Sequence, residues 1–297
     1  MKNKILMIIL TGFVSVTNAQ QLQTSSMYDM QGILHNPSMA GVQENNIIGV
    51  SYRSQWSGIS GSPKTATVFG SFDLPKQKMG IGGYIYNDET GPTSRKGIVL
   101  SLAKHITGNK GTFSIGIESK IQQYTLDKTK LTETLGADPV LAGADNRFKY
   151  DAGFGMSYTG KALQLGASVS QLIQSKLGFY KGNMATTEEA RLYRHFYFDG
   201  LYHWNVDDVT VITPSVLLIY LPNAPASFQV GTRVEHNKLF WWGIGYRVKQ
   251  SYMLSAGLHI HKKITLGYAY DDYIDPISHF DKGYSAHEIL IRYNFVK

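Results

Sequence analysis

The stretch YSAHEILIRYNFVK (residues 284–297) ends the chain and decides the fold. Its residues alternate between an apolar set and a polar set. The apolar set is His287, Ile289, Ile291, Tyr293 and Phe295, and the polar set is Glu288, Arg292 and Asn294. Alternation with period two is typical of a β-strand with different environments on its two faces. Because chain ends usually fray, so regular a terminal strand indicates that it must pair with another strand.

The composition also favours β structure. The chain has 297 residues, of which 43% are hydrophobic, enough for one large all-β domain or two ordinary domains. It contains 30 glycines, 19 tyrosines and 13 phenylalanines, whereas only 17% of its residues are charged. Aromatic residues are enriched in strands, and glycine is common in turns and crowded walls.

The N terminus has the pattern of a secretory signal peptide. Lys2 and Lys4 precede an apolar run over residues 5–16, and small residues follow up to Ala19. We therefore expect residues 1–19 to be removed on export. The chain has no cysteine, which excludes a disulfide framework and the lipid-bearing cysteine of a lipoprotein.

The charge and hydropathy of the remaining chain exclude two classes of protein. The formal charge falls from +7 to +5 (7 − 2) without Lys2 and Lys4, and the basic residues are spread along the chain, so no nucleic-acid partner is implied. After residue 20 no window has the eighteen or so continuous apolar residues of a membrane helix. A transmembrane β-barrel would leave this trace, because its lipid-facing and lumen-facing residues alternate.

Period-two alternation recurs throughout the chain. It is clearest at residues 46–55, 112–122, 148–158, 227–235 and 239–248. Less regular candidates are residues 64–73, 79–87, 96–105, 163–172, 195–204, 209–220, 252–261, 264–271 and 285–295. The total is about fourteen strands, an even number as in single-chain bacterial barrels.

The connections between these segments show a second regularity. Counted from a periplasmic N terminus, every second connection is short: residues 74–78, 106–110, 159–162, 205–208, 236–238 and 262–263. The others are mostly longer, as at 125–147, 174–194 and 272–284, although 249–250 is short. Short periplasmic turns and long outer loops are typical of outer-membrane barrels.

These patterns predict an all-β fold, a transmembrane antiparallel β-barrel of about 14 strands and outer-membrane type over residues 46–297. Residues 20–45 would form an N-terminal periplasmic or plug segment. The last strand would pair with the first, because an open edge in lipid leaves backbone groups without partners. Tyr293 and Phe295 would then lie in the aromatic girdle. The alternative is a soluble β domain with an edge strand at its C terminus.

No motif indicates catalysis, a cofactor or a metal. His287 and Glu288 lack the second histidine of a zinc protease, and Ser285 and His287 lack a nucleophile elbow. His259 and His261 share a strand face, but no nearby carboxylate is evident, and the segment more simply ends a strand. GIGG (residues 80–83) is not a phosphate loop. We expect no enzymatic activity, although a membrane hydrolase stays open as a minor alternative.

The residues predicted to face the lumen carry both signs of charge. They are Arg53, Gln55, Glu118, Lys120, Asp151, Arg233, Glu235, Arg247 and Arg292. Such residues would be costly facing lipid. They suit a lumen of ion pairs, or they solvate a water-filled pore.

Candidate partner-binding or plug residues lie in the loops and before the first strand. Outer loops hold Leu177, Phe179 and Tyr180 in one case and Tyr273, Ile274, Ile277 and Phe280 in another. These residues would form a docking surface or pack over the barrel mouth. Asn36 and Pro37 favour a fixed turn that would plug the lumen or meet a periplasmic partner. Trp56 would lie at the outer mouth, beyond the lumenal Arg53 and Gln55.

Longer motifs resemble a known family. They include HNPSMAGV (residues 35–42), the run from YRSQW to FDLP (52–75), GIGGYIYNDETGPTSRKGI (80–98), PSVLLIYLPNAPASFQVG (214–231) and LFWWGIGYR (239–247). Together with ADPVL, DAGFGMSY, SVSQLIQSKL, LGYAYD and the terminal SAHEILIRYNF, they resemble the PorP/SprF family of type IX secretion system outer-membrane proteins. Ser38 and Met39 depart from the alanine and aromatic residue that the family often has.

This resemblance implies a non-enzymatic role in the outer membrane. Family members are linked to export and surface attachment of cargo, often large gliding or surface adhesins with a C-terminal sorting domain. They are also associated with the periplasmic type IX ring and peptidoglycan-binding lipoproteins. The function predicted is therefore binding, export or anchoring of specific cargo. The alternative is a diffusion porin or small-molecule uptake barrel, for which the same wall and a polar lumen suffice.

Overall fold

A computed structural model describes residues 24–42, 46–131, 143–177, 192–222, 224–275, 278 and 285–295. The described chain is almost entirely β-sheet. The first strands are β1 (Ile47–Gln55), β2 (Lys64–Leu74), β3 (Met79–Thr90), β4 (Thr93–Gly108) and β5 (Gly111–Asp127). They are followed by β6 (Ala144–Gly160), β7 (Leu163–Ser170), β8 (His195–Tyr202), β9 (Trp204–Asn205) and β10 (Thr210–Tyr220). The last are β11 (Ser227–His236), β12 (Phe240–Arg247), β13 (Ser251–Ile260), β14 (Ile264–Tyr273) and β15 (Ala286–Asn294).

The sheet closes on itself as an antiparallel barrel of fourteen wall positions. Each strand pairs with its sequence neighbours, β15 pairs with β1, and β10 pairs with β11. The short β9 continues β8, since both pair with β10, and the two therefore occupy one wall position. The predicted barrel of about fourteen strands is confirmed, and every predicted strand segment has its counterpart in the wall.

The two ends of the barrel differ. One end carries short connections, such as residues 109–110 and 161–162, and we call it the short-turn end. The other, the long-loop end, carries residues 128–143 and 171–194. The strands flanking the first of these loops are longer than predicted, because β5 continues to Asp127 and β6 begins at Ala144. No helix in the described chain is both long and apolar enough to cross a membrane.

The wall is apolar outside and polar inside. Outward side chains include Leu100 and Phe148, each 67% exposed, whereas the inward Ser101 is 6% exposed. Because successive strand residues point to opposite faces, an alternating sequence places its apolar set against lipid and its polar set in the lumen.

The seam between β1 and β15 follows the predicted alternation. Arg53 is the register partner of Glu288, and both side chains point into the lumen, whereas Val50 and its partner Ile291 point outward. At the short-turn end the rings of Tyr293 and Phe295 lie edge to face, 4.8 Å apart. The last strand therefore completes the wall.

The core of the protein lies inside the barrel. Residues 24–42, which we call the plug, fold into three 3-10 turns, Tyr28–Met30, Gly32–Leu34 and Pro37–Met39. The plug residues Met27, Met30, Ile33 and Ala40 form one buried cluster with wall residues. The wall members of that cluster are Phe69, Tyr84, Tyr86, Val99, Ala103, Trp241, Ala269 and Leu290. Apolar side chains thus face inward where the plug covers them.

Candidate functional site: a plug held in the lumen

The plug runs along the lumen from one end towards the other. Ser25 and Ser26 contact wall residues near the long-loop end, such as Glu288. The backbone N–H of Gly41 donates to Ser71 Oγ at 2.7 Å, near the short-turn end, where β1 begins. The plug therefore touches the wall through two groups of contacts, one towards each end.

Near the long-loop end the plug contacts a buried ion-pair network of wall residues, and we call this network with its plug contacts the latch. Arg53 Nη2 lies 2.6 Å from Asp271 Oδ2, and Arg53 Nη1 lies 3.2 Å from Glu288 Oε2. Arg247 Nη1 lies 3.1 Å from the same Asp271 oxygen. All four side chains are at most 4% exposed. Two arginines face two carboxylates, so each buried charge has an opposite partner.

The plug completes the hydrogen bonding of the latch. Ser25 Oγ donates to Glu288 Oε1 at 2.6 Å, and the backbone N–H of Ser26 donates to Glu288 Oε2 at 2.8 Å. The Ser26 hydroxyl also bonds Asp271. Gln31 Nε2 donates to Glu288 Oε1 at 3.1 Å. Buried carboxylates need several donors, and here the plug supplies a share of them.

The group near the short-turn end is neutral, and we call it the seat. Asn36 Nδ2 donates to the Met156 carbonyl at 3.1 Å, and Asn36 Oδ1 accepts from the Ser38 backbone N–H at 3.0 Å. Ser38 Oγ lies 2.8 Å from Ser157 Oγ. Pro37 occupies the first position of the 3-10 turn, where its missing N–H leaves no donor unsatisfied. Asn36 and Pro37 thus form the fixed turn that their sequence predicts.

Two wall glycines let the plug backbone approach closely at the seat. A Cβ at Gly116 would overlap the backbone of Pro37 and Ser38, and a Cβ at Gly80 would overlap the Ala40 carbonyl. Any larger residue would push the plug away. Gly80 opens the GIGG stretch, and it accommodates the plug.

Between latch and seat, isolated polar contacts add to the apolar packing of the plug. Asp29 Oδ2 lies 3.0 Å from Arg233 Nε, and Arg292 Nη1 donates to the Met30 carbonyl at 3.2 Å. His35 stacks on Tyr197 with ring centroids 6.0 Å apart. Removal from water lowers the pKa of His35 to about 4, because desolvation disfavours the charged imidazolium.

Little space remains between plug and wall in the described chain. Three cavities there measure about 30, 40 and 50 Å³. The second is lined by polar groups, among them Arg95, Glu118, Lys120 and His195. Each cavity has room for a few water molecules.

The structure places the predicted site residues in different settings. Arg53 belongs to the latch, and Gln55 Nε2 donates to the Tyr273 hydroxyl at 2.7 Å. The Trp56 ring lies 6.0 Å from that of Tyr273, at the long-loop end. The prediction that Tyr273 lies on an outer loop is wrong, because it is the last residue of β14 and is 5% exposed.

Of the remaining predicted loop residues, the structure describes Leu177. Leu177 is partly exposed, at the start of the loop that follows β7. Phe179, Tyr180 and Phe280 lie outside the described residues, as does the predicted signal peptide. Their proposed role in docking stays a prediction.

Sequence reasoning missed several contacts. The prediction that no carboxylate lies near His259 is wrong, since Glu235 Oε2 lies 3.2 Å from His259 Nε2, two strands away. His261 instead lies in the turn after β13, with a left-handed φ of 49°. Within the described residues, no three histidine, cysteine or acidic side chains cluster as metal ligands would. Asp271 and Ser26 are central to the latch but belong to no sequence motif. The only sequence feature that points to either residue is the alternation that turns Asp271 into the lumen.

The comparison that decides the family covers nearly the whole chain. A family model described as "Type IX secretion system membrane protein PorP/SprF" matches residues 17–293. The chain belongs to the PorP/SprF family. The family resemblance inferred from the sequence motifs is therefore confirmed. Together with the barrel fold, membership indicates the outer membrane and a secretion-system context for this PorP/SprF chain.

Several solved structures of barrel proteins are similar to this chain at low sequence identity. The CymD monoaromatic hydrocarbon channel is 11% identical, with a TM-score of 0.52, and the match covers 90% of this chain and 93% of that chain. The TodX deltaS2S3 mutant monoaromatic hydrocarbon channel is 10% identical, with a TM-score of 0.48 and coverage of 91% and 93%. The NanC porin is 10% identical, with a TM-score of 0.43 and coverage of 85% and 100%. No curated protein matches the chain. At such identity, the CymD likeness shows the fold alone.

Proposed function

We propose that this PorP/SprF barrel binds, exports or anchors a specific cargo protein, such as a surface or gliding adhesin. In this role the plugged barrel is the attachment point for the cargo in the outer membrane. The observation that carries this proposal is the plug. An ion pair, hydrogen bonds and apolar packing hold it along the described lumen, with cavities of about 30 to 50 Å³ beside it. A rigid filled barrel suits attachment better than diffusion of solutes.

The two ends of the barrel suit different partners. In outer-membrane barrels the short turns face the periplasm and the long loops face outward. Cargo with a C-terminal sorting domain would dock at the long-loop end, where Trp56 and Leu177 lie. The periplasmic ring and peptidoglycan-binding lipoproteins would meet the short-turn end. These partners follow from the family, and the asymmetry of the barrel supports their assignment to separate ends.

The first test identifies partners in the native host. An affinity tag inserted between Asn109 and Lys110, in a short turn, leaves the closing strand β15 intact. After gentle cross-linking and purification from the outer membrane, we expect recovery of type IX components together with one large surface protein. An unrelated barrel tagged in a short turn is the control. Recovery of the same proteins with both barrels, or of the tagged barrel alone, would contradict the proposal.

A second test distinguishes a plugged, cargo-binding barrel from a porin or uptake barrel. In planar bilayers, we expect the intact protein to show no steady open-pore conductance. Deletion of residues 24–42 should open a conducting lumen, and if that variant does not fold, Asp271→Ala serves as a milder substitute. Steady conductance of the intact barrel, without cargo in the first test, would favour the porin instead.

We also propose that the chain is not an enzyme. His287 Nδ1 lies 2.7 Å from the Tyr268 hydroxyl on the outer face of the wall, which supports a structural role for this histidine. A membrane hydrolase would show turnover abolished by Ser285→Ala or His287→Ala. We expect no turnover of ester or peptide substrates by the purified protein.

A further inference from the structure

We propose that the outer face of strands β1 to β6 carries a binding site for one phosphate-bearing lipid with net negative charge. The site is a groove of about 550 Å³ in the lipid-facing wall. Its volume is within the range of small-molecule sites, about 300–1,000 Å³. The groove is formed entirely by described residues.

The body of the groove is aliphatic and continuous across strands. Val68, Ile85, Ile98 and Ile121 are successive register partners on β2 to β5, and all point outward. The small Ala66 leaves a depression beside them. Such a surface matches a hydrocarbon chain and offers little to a polar ligand.

A polar row borders the groove towards the long-loop end. Lys96 is the register partner of Asn87 on β3 and of Gln123 on β5, and all three line the groove. Among the residues that the structure describes, Lys96 makes no ion pair and no side-chain hydrogen bond, in contrast to Lys120, which pairs with Glu118.

The position of Lys96 indicates that the lipid bound in the groove is anionic. An unpaired lysine on a lipid-facing strand is costly at the bilayer midplane and tolerated near the interface, where headgroups lie. A lysine at that depth attracts anionic headgroups. A polar row above an aliphatic groove therefore matches the two parts of one anionic lipid, a phosphate and an acyl chain.

Titration of the purified full-length barrel with lipids, followed by native mass spectrometry, tests the site. Phosphatidylglycerol should bind in a saturable one-to-one manner and more tightly than phosphatidylcholine with the same chains. Lys96→Gln should weaken phosphatidylglycerol binding about fivefold and leave phosphatidylcholine unchanged, because one lysine near a membrane surface contributes this much.

Two further variants keep the test informative. Lys64→Gln removes the same charge from the first residue of β2, outside the groove, and should have no effect. Ala66→Phe fills the groove without changing charge and should abolish one-to-one binding of both lipids. Equal effects of the two lysine variants, or binding without saturation, would show ordinary surrounding lipid and overturn the proposal.

Photo-cross-linking then locates the occupant. Phosphatidylglycerol with a diazirine in its acyl chain should label residues around Ile85, Ile98 and Ile121. Labelling spread evenly around the barrel would contradict a defined site. A photoreactive residue at Ile98 that captures a protein in native membranes would show that the groove is a protein interface instead.

Discussion

The plug is held at its two ends by opposite means. At the latch, plug groups donate hydrogen bonds to two almost wholly buried wall carboxylates that also pair with two wall arginines. The seat instead uses hydrogen bonds between neutral amide and hydroxyl groups, together with wall glycines. The latch depends on charge balance, because one uncompensated buried charge is strongly destabilising. The seat depends on shape, because nothing larger than glycine fits at Gly80 and Gly116.

This difference indicates which end of the plug a change of charge would weaken. A partner or a change of charge can disturb ion pairs, but it cannot alter a close backbone approach except by moving the wall. The latch is therefore the end that a change of charge should weaken, and the seat is the fixed end. Cysteine reporters test this well, since the chain has no cysteine of its own. Met27→Cys lies near the latch and Ala40→Cys near the seat, both at buried positions.

The largest expected effect comes from Asp271→Ala. It leaves Arg53 and Arg247 without their shared carboxylate, and it should lower the free energy of plug opening by about 3–5 kcal/mol. Maleimide labelling should accelerate strongly at Met27→Cys and less at Ala40→Cys. Asp88→Ala, which breaks the more exposed pair with Arg95, is the control. Equal labelling of both reporters would mean that the plug moves as one body.

Gly116→Val should have the next largest effect. The added side chain would overlap the backbone of Pro37 and Ser38, and overpacking of this kind costs about 1–3 kcal/mol. Labelling should now increase at Ala40→Cys more than at Met27→Cys, the reverse of the latch variant. Gly108→Val is a suitable control, because a Cβ there meets no atom closer than 3.8 Å. A similar effect of both valines would remove the steric account of the seat.

Acid should weaken the middle of the plug through His35. Its folded-state pKa of about 4 lies below the unfolded value of about 6.5, so the unfolded chain binds more protons between these values. The contribution of neutral His35 to the free energy of unfolding is fully present above about pH 6.5 and is lost as the pH falls towards 4. The loss in the free energy of unfolding is roughly 2 kcal/mol by pH 5.

The His35 effect is measured as the thermal midpoint against pH. His35→Phe keeps the stack on Tyr197 but cannot titrate, so its midpoint should fall less between pH 6.5 and 4.5 than that of the original chain. Parallel curves for both proteins would assign the acid sensitivity to other groups, such as the latch carboxylates.

The smallest effect is expected for Ser38→Ala. The variant removes the hydroxyl contacts with Asn36 Oδ1 at 2.7 Å and with Ser157 Oγ at 2.8 Å, a loss of about 1 kcal/mol. A double-mutant cycle with Ser157→Ala measures the pair itself. Additive effects of the two changes would show that the hydroxyls contribute independently.

The wall could be predicted from the sequence because strand alternation is local. Because successive residues of a strand point to opposite faces, each outward Ile or Val of β4 and β5 predicts the orientation of its neighbours. About ten residues are therefore enough to predict a strand and its two faces. Strand ends were less certain, since β5 and β6 extend into a segment without clear alternation.

The plug and its contacts could not be predicted in the same way. Its 3-10 turns have no long period, and only the Asn36-Pro37 turn has a local signature. The latch joins Arg53 to residues 218 and 235 positions away, and no spacing in the sequence announces such a pair. The inward Trp241 and Leu290 break the polar pattern because the plug covers them, and the sequence does not show which wall residues a plug would contact.

The position of the latch also has a consequence for the order of assembly. It joins the segment before β1 to β1 itself and to the last two strands, β14 and β15. It can therefore form only after the whole wall has been synthesised and closed. A one-residue slip at the seam would turn either Arg53 or Glu288 out of the lumen and break the ion pair between them. The N-terminal segment thus meets all of its latch partners only in a barrel whose first and last strands pair in this register.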